Sequence, residues 1–251
     1  MSNPTSLDEV ILRTRPVMLA RDQVVPVLDG LRGLMPEGGL QRGSTVVIDG
    51  VDAVCSLALA LATGPSIDGG WVAVVGHNDL GLAAAIEMGL VPERLALIRE
   101  PPAPQWATVV AALIGAVDVV VIGSAVRLRG ADAARLAARV RERGTVLIQA
   151  DPTVRAARVT GRPSTLETDV RLSVISSRWQ GLGVGHGHLC ARRITVEATG
   201  RRRASRLRRA ELWLPDVHGH VCSPVTQTDL IPVRYAGADI DQMVESYSEV
   251  G

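Results

Sequence analysis

The most legible chemistry lies at residues 50–57, where Gly50-Val51-Asp52-Ala53-Val54-Cys55-Ser56-Leu57 follows a β-branched run and leads into an Ala/Leu-rich helical pattern. This is the layout of a strand feeding a phosphate-binding loop. A working loop needs G-x-x-x-x-G-K-[ST], because backbone N–H groups cradle the phosphates, lysine offsets their charge and the hydroxyl holds Mg²⁺. Only the first glycine, Gly50, is present. Cys55 stands at the second glycine, Ser56 at the lysine and Leu57 at the hydroxyl, and Asp52 adds negative charge where phosphates would lie. No lysine elsewhere can compensate, since all 27 basic side chains are Arg. The same absence excludes a Schiff-base lysine or a lysine general base.

Two near-identical pentapeptides, His186-Gly-His188-Leu-Cys190 and His218-Gly-His220-Val-Cys222, each place two imidazoles and a thiol at alternate positions. On a strand those three point to one face, which suits zinc; a glycine-rich bend entering a strand is the competing reading and the favoured one, so no metal or other cofactor is expected. Arg201, Arg202, Arg203, Arg206, Arg208 and Arg209, with Arg192 and Arg193 nearby, form the densest basic cluster. It suits phosphate-backbone contact with DNA, a solvated hairpin tip, or a dock for an acidic segment; no aromatic residue interleaves to stack bases. Near the end of the chain Ile240, Met243, Val244 and Tyr247 follow helical spacing, preceded by an extended run with Ile231, Val233 and Tyr235. A short amphipathic helix of this kind either packs back or lies in a partner's groove, and the partner is the preferred reading.

The elements that must position these residues alternate from 45 to 150. Strands are predicted at 45–49, 71–76, 94–98, 117–123 and 145–149, with helices at 53–62, 80–88, 105–116 and 131–143. That order predicts an α/β domain with a mainly parallel sheet covered by helices on both faces. Strands at 168–176, 187–197 and 207–214, without helices between them, predict an antiparallel hairpin at the end of the sheet, with 200–205 as a connection. A short helix interrupted by Pro26 is predicted over 22–35. The chain thus divides into an N-terminal arm (1–35), a core (36–215) and an acidic C-terminal tail (216–251).

With no Phe and six aromatic residues in 251, the core must be built from Ala, Val, Leu and Ile. The net charge of +1 hides a polar distribution: residues 151–210 carry 13 Arg against four acids, and residues 211–251 carry one Arg against seven acids. Three cysteines form no disulfide framework, and the first ten residues hold no apolar signal core; both point to the cytoplasm. The apolar stretch 106–126 is long enough to span a bilayer, but Asp118 and the change from Ala-rich to β-branched character predict helix, turn at Gly115 and strand, with no membrane association.

The segments GGLQRGSTVVIDG (38–50), WVAVVGHNDLGLAAAIEMGL (71–90), VDVVVIGSAVRLRGADAARLAARVRERG (117–144), SRWQGLGVGHGHLCARRITV (177–196) and ELWLP (211–215) together resemble the RecA-like recombinase core. They most closely resemble the actinobacterial ImuA-prime family, over roughly 25–215. The resemblance implies a RecA-like fold and a non-enzymatic accessory role in an error-prone translesion complex of the DNA-damage (SOS) response. Its implied partners are a catalytically inactive Y-family polymerase homologue (ImuB-like) and, indirectly, a C-family polymerase and the sliding clamp. It also implies two further losses. The aspartate that ends a RecA-type Walker B strand falls at Gly123, and the catalytic glutamate falls at His77. Arg42 is the nearest alternative cation for a residual NTPase, which stays open beside the DNA-binding reading.

Overall fold

The computed structural model describes residues 24–77, 80–123, 130–150, 166–182 and 187–224. Ten strands and five helices order as β1 (Val24–Pro26), α1 (Asp29–Arg32), β2 (Gly39–Gln41), β3 (Thr45–Gly50), α2 (Val54–Ile67), β4 (Val72–Val75), α3 (Leu82–Glu87), β5 (Leu95–Ile98), α4 (Trp106–Leu113), β6 (Val119–Ile122), α5 (Gly130–Arg143), β7 (Val146–Ala150), β8 (Val170–Leu182), β9 (Gly187–Gly200) and β10 (Arg208–Trp213). The eight-stranded sheet runs β10-β9-β8-β3-β7-β6-β4-β5, parallel from β8 to β5 and antiparallel across β8, β9 and β10. This is the mainly parallel α/β sheet with a terminal antiparallel hairpin that the sequence predicts.

Alternation along the parallel strands serves two cores. Val72, Val74, Val119, Val121, Val146 and Ile148 face α2 and α3, whereas Val75, Val120, Ile122 and Leu147 face α4 and α5. Strands covered on both faces read as unbroken apolar runs, which is why they were visible in the sequence. Aliphatic side chains do the work that Phe does elsewhere. At about 25 cal/mol per Å² of apolar area removed from water, their burial is the main favourable term in folding.

The apolar stretch divides as expected over its described residues, 106–123. Trp106 opens α4, Gly115 turns the chain at φ +93°, and β6 follows. Asp118 explains its own presence there: Oδ1 accepts from Arg42 Nη1 at 2.9 Å and Oδ2 from the Trp71 amide at 3.0 Å, tying together the amino ends of β3, β4 and β6. No helix among the described residues is long and apolar enough to cross a membrane.

Three local expectations change. The helix predicted over 22–35 is a strand, β1, followed by a single helical turn, α1; Pro26 has no N–H to give a helix but sits comfortably on a two-stranded edge. Gly39 permits that pairing, since a Cβ there would stand 2.6 Å from the Val25 carbonyl oxygen. Val25, Val27, Leu31, Leu34 and Met35 from this stretch are part of the main core. The helix α2 does not stop at 62 but continues through Gly64 and Pro65 to Ile67. Gly64 is there for packing, because a Cβ would meet the Pro26 carbonyl oxygen at 2.5 Å. Finally, β8 runs to Leu182 rather than 176, with irregularities at Val174/Ser176 and Gln180/Leu182. Its outer half is exposed and held by ladder hydrogen bonds to β9, so burial leaves no periodic mark on it.

Candidate functional site

β3 is central, with β7, β6, β4 and β5 on one side and β8, β9 and β10 on the other. The carboxyl ends of such strands, where the order reverses, are where open α/β sheets bind ligands. Here that position holds Gly50, the α2 amino terminus, His77 and Gly123.

Gly50 ends β3 with φ +149°, and a Cβ on it would lie 2.5 Å from the Val174 carbonyl oxygen, so its role is the close approach of β3 to β8. Only Val51, Asp52 and Ala53 separate it from the first residue of α2. Ala53 takes a left-handed conformation (φ +61°) to make so short a turn. The chain is already helical at Cys55, before the lysine position of a phosphate loop, leaving few loop amides to wrap an anion. Leu57 is fully buried in the core, and its amide bonds the Ala53 carbonyl at 2.8 Å.

Cys55, His77 and Gly123, noted separately in the sequence, are brought together. Cys55 Sγ lies 3.6 Å from His77 Nδ1. Burial raises the Cys55 thiol pKa, and burial lowers that of His77, only partly opposed by the Ile122 backbone. Both therefore favour their neutral forms. The imidazole lies over Gly123: a Cβ there would stand 3.2 Å from His77 Cε1 and Nε2 and 2.8 Å from the Gly76 carbonyl oxygen. His77 Nε2 is buried without a hydrogen-bond partner among the described residues. His77 and Gly123 are thus one packing arrangement, in which His77 uses space that Gly123 leaves. A neutral thiol and a neutral imidazole offer Mg²⁺ none of the oxygen ligands it prefers, and offer phosphate no cation.

Asp52 turns towards the antiparallel strands. Its Oδ2 accepts from Ser177 Oγ at 2.8 Å and lies 3.6 Å from Arg192 Nη1. Burial alone would raise the Asp52 pKa, but the Ser177 hydroxyl, the Ala53 amide and Arg192 outweigh it and hold the carboxyl below its ordinary value. Arg192, grouped by sequence with the surface arginines, is instead only 6% exposed. Its Nε donates to the Leu214 carbonyl at 2.7 Å and its guanidinium stacks 4.8 Å from the Trp179 ring centroid. Sequence spacing carried no signal for this pair, because one partner sits in the turn after β3 and the other on β9. Arg42 is at the opposite, amino end of the sheet, engaged with Asp118.

The Arg hairpin is extensively ion-paired. Arg201 bonds Glu167, Arg203 bonds Glu37, Arg209 Nη1 lies 3.6 Å from Glu197, and Arg193 bonds Glu211. Arg208 donates to the Arg206 and Arg203 carbonyls at 3.3 and 3.4 Å. Arg202 and Arg206 are exposed, Arg202 with a left-handed backbone (φ +53°).

Among the described residues, those of the two His/Cys segments included, no group of three or more His, Cys, Asp or Glu side chains stands close enough together to hold a metal ion. Cys190 Sγ bonds the His188 carbonyl at 3.3 Å, and His186 lies outside the described residues. In the second segment the organiser is buried Asp216, whose Oδ1 accepts from the His218 and His220 amides at 2.8 and 2.9 Å. Cys222 Sγ faces Asp216 Oδ2 at 3.7 Å, and burial together with that carboxylate pushes the thiol pKa up to about 11. This is a carboxylate-centred turn, with the Cys222 amide and carbonyl paired to Trp213. The tail residues Ile231, Val233, Tyr235, Ile240, Met243, Val244 and Tyr247 lie outside the described residues.

A family model described as the MT3502 N-terminal domain matches residues 33–155, which hold five of the six strands in the parallel part of the sheet, β3 to β7, and the helices between them. An uncharacterized protein of Mycobacterium tuberculosis, Rv3395c, is 37% identical over 121 residues. That span is 47% of this chain and 57% of the mycobacterial protein, so this chain is similar to little more than half of its relative's length.

Proposed function

We propose that this protein is a non-enzymatic adaptor like the ImuA-prime accessory factors, built on a RecA-like ATPase scaffold that no longer handles nucleotide. Its role is to assemble an error-prone translesion complex in the DNA-damage response by binding a catalytically inactive Y-family polymerase homologue. The observation that carries the reading is the packed set Cys55, His77 and Gly123 at the sheet's carboxyl edge, where a recombinase keeps its catalytic carboxylates. The buried Leu57 at the Mg²⁺-hydroxyl position and the Asp52 carboxylate at the phosphate position support it. The ion pairs of the Arg hairpin weigh against DNA as the primary partner, because exposed guanidiniums already matched by carboxylates release fewer counterions on binding phosphate.

The test is co-purification with the inactive polymerase homologue, using the full chain and a chain lacking residues 225–251. The full chain is expected to retain the partner through the amphipathic tail, and the deletion to lose at least tenfold in affinity, about 1.4 kcal/mol. No retention by the full chain would sink the adaptor reading; equal retention by both would move the interface onto the core.

A further inference from the structure

We propose that the Asp52 carboxylate is an internal anion filling a phosphate-class site formed by Arg192 and Ser177, and that it holds the β3–α2 turn permanently against the β8–β9 arm. The inference rests on the reading of a retired nucleotide site and deepens it. It explains what took the ligand's place.

Arg192 is a cation with 6% of its surface exposed, and a buried cation needs a counter-charge. Two of its features are already committed: Nε to the Leu214 carbonyl at 2.7 Å and the flat face to Trp179 at 4.8 Å. Its backbone is also fixed, with its amide donating to the Pro215 carbonyl and its carbonyl accepting from the Leu214 amide. The remaining guanidinium edge has its ion-pair partner in Asp52 Oδ2, at 3.6 Å from Nη1. Ser177 adds a hydroxyl to the same oxygen at 2.8 Å. A guanidinium edge and a hydroxyl converging on one oxygen are what a tetrahedral oxyanion uses. The carboxylate that answers them comes from the turn where a phosphate loop would present its ligand.

The Asp52 side chain is half exposed, whereas that of Arg192 is not, so a small anion could approach from solvent if the carboxylate were removed. In the native chain an incoming phosphate meets the fixed charge of Asp52 and is repelled. A nucleotide phosphate would link this turn to its surroundings only while bound; Asp52 does so covalently tethered, and the turn and the arm stay joined in every nucleotide state. Ala53, left-handed in the same turn, and Gly50, pressed on Val174, fit a turn drawn towards β8.

The experiment is thermal unfolding of the full chain as wild type, Asp52→Gly and Asp52→Gly/Arg192→Met, each in chloride and in inorganic phosphate at matched ionic strength. In chloride, Asp52→Gly is expected to melt roughly 3–6 °C below wild type, because it strands a buried guanidinium. Phosphate should recover at least half of that loss in a saturable way while leaving wild type unmoved, and the double variant should lose the response. Should Asp52→Gly fail to fold, Asp52→Ala carries the same comparison with less backbone freedom. An Asp52→Gly protein as stable as wild type, or phosphate stabilising wild type and variants alike, overturns the proposal. No partner protein enters the assay, so its failure is separable from a failure of the adaptor reading.

Discussion

Gly123→Asp, which places a carboxylate just after β6, is expected to destabilise the protein by about 3 kcal/mol or more, lowering the melting temperature by roughly 8 °C. The added Cβ alone stands 2.8 Å from the Gly76 carbonyl oxygen and 3.2 Å from two atoms of the His77 ring. Gly76 cannot retreat, since it holds φ +71° and its own α-carbon faces the Trp106 ring. The carboxylate would further be desolvated beside an imidazole that burial keeps neutral. His77→Ala in the same chain should restore only part of the loss, because the Gly76 contact remains. Gly33→Ala is the control, since a Cβ there meets nothing within 4 Å. Calorimetric or circular-dichroism melts decide the matter, and a Gly123→Asp protein as stable as wild type would show that His77 and Gly123 are not mutually dependent.

Asp216→Ala should cost about 3 kcal/mol, the sum of two charge-assisted bonds to amides that lose a buried acceptor. Its distinguishing mark is alkaline. Burial and the Asp216 charge keep the Cys222 thiol protonated to about 11 in the native state, against 9.0 for an ordinary thiol. As pH rises the unfolded chain therefore releases this proton first. The stability contributed by the neutral thiol is complete below pH 9 and falls between about 9 and 11. In Asp216→Ala the carboxylate's share of the shift disappears, so the variant should lose less stability across that window than wild type does. Denaturant midpoints measured at pH 8 and pH 10.5 give the comparison; parallel losses in the two proteins would contradict it.

β3, β4, β6 and β7 are readable because each is buried on both faces and so leaves a nearly unbroken apolar run, whereas β5, at the sheet edge, is only partly buried. The chain's shorter elements are not readable: β1 has three residues, including a proline, and its pairing with β2 depends on Gly39 being small enough for Val24 to pass. At the site, the sequence showed which roles are missing, since a motif is a statement about positions. It could not show what fills them. Asp52 meets Arg192 only because β8 pairs with both β3 and β9, and His77 meets Gly123 only because β4 and β6 are neighbours. Arg192 read as surface charge for a related reason. Arginine density along the chain says nothing about facing, and on β9 it turns inward while Arg193 turns outward to Glu211.

Under the function proposed above, the Gly50–Leu57 turn binds no nucleotide. Isothermal titration of the full chain with ATP and Mg²⁺ tests it most directly. No saturable heat is expected at millimolar nucleotide, and none when Mg²⁺ is omitted. A micromolar dissociation constant would contradict it.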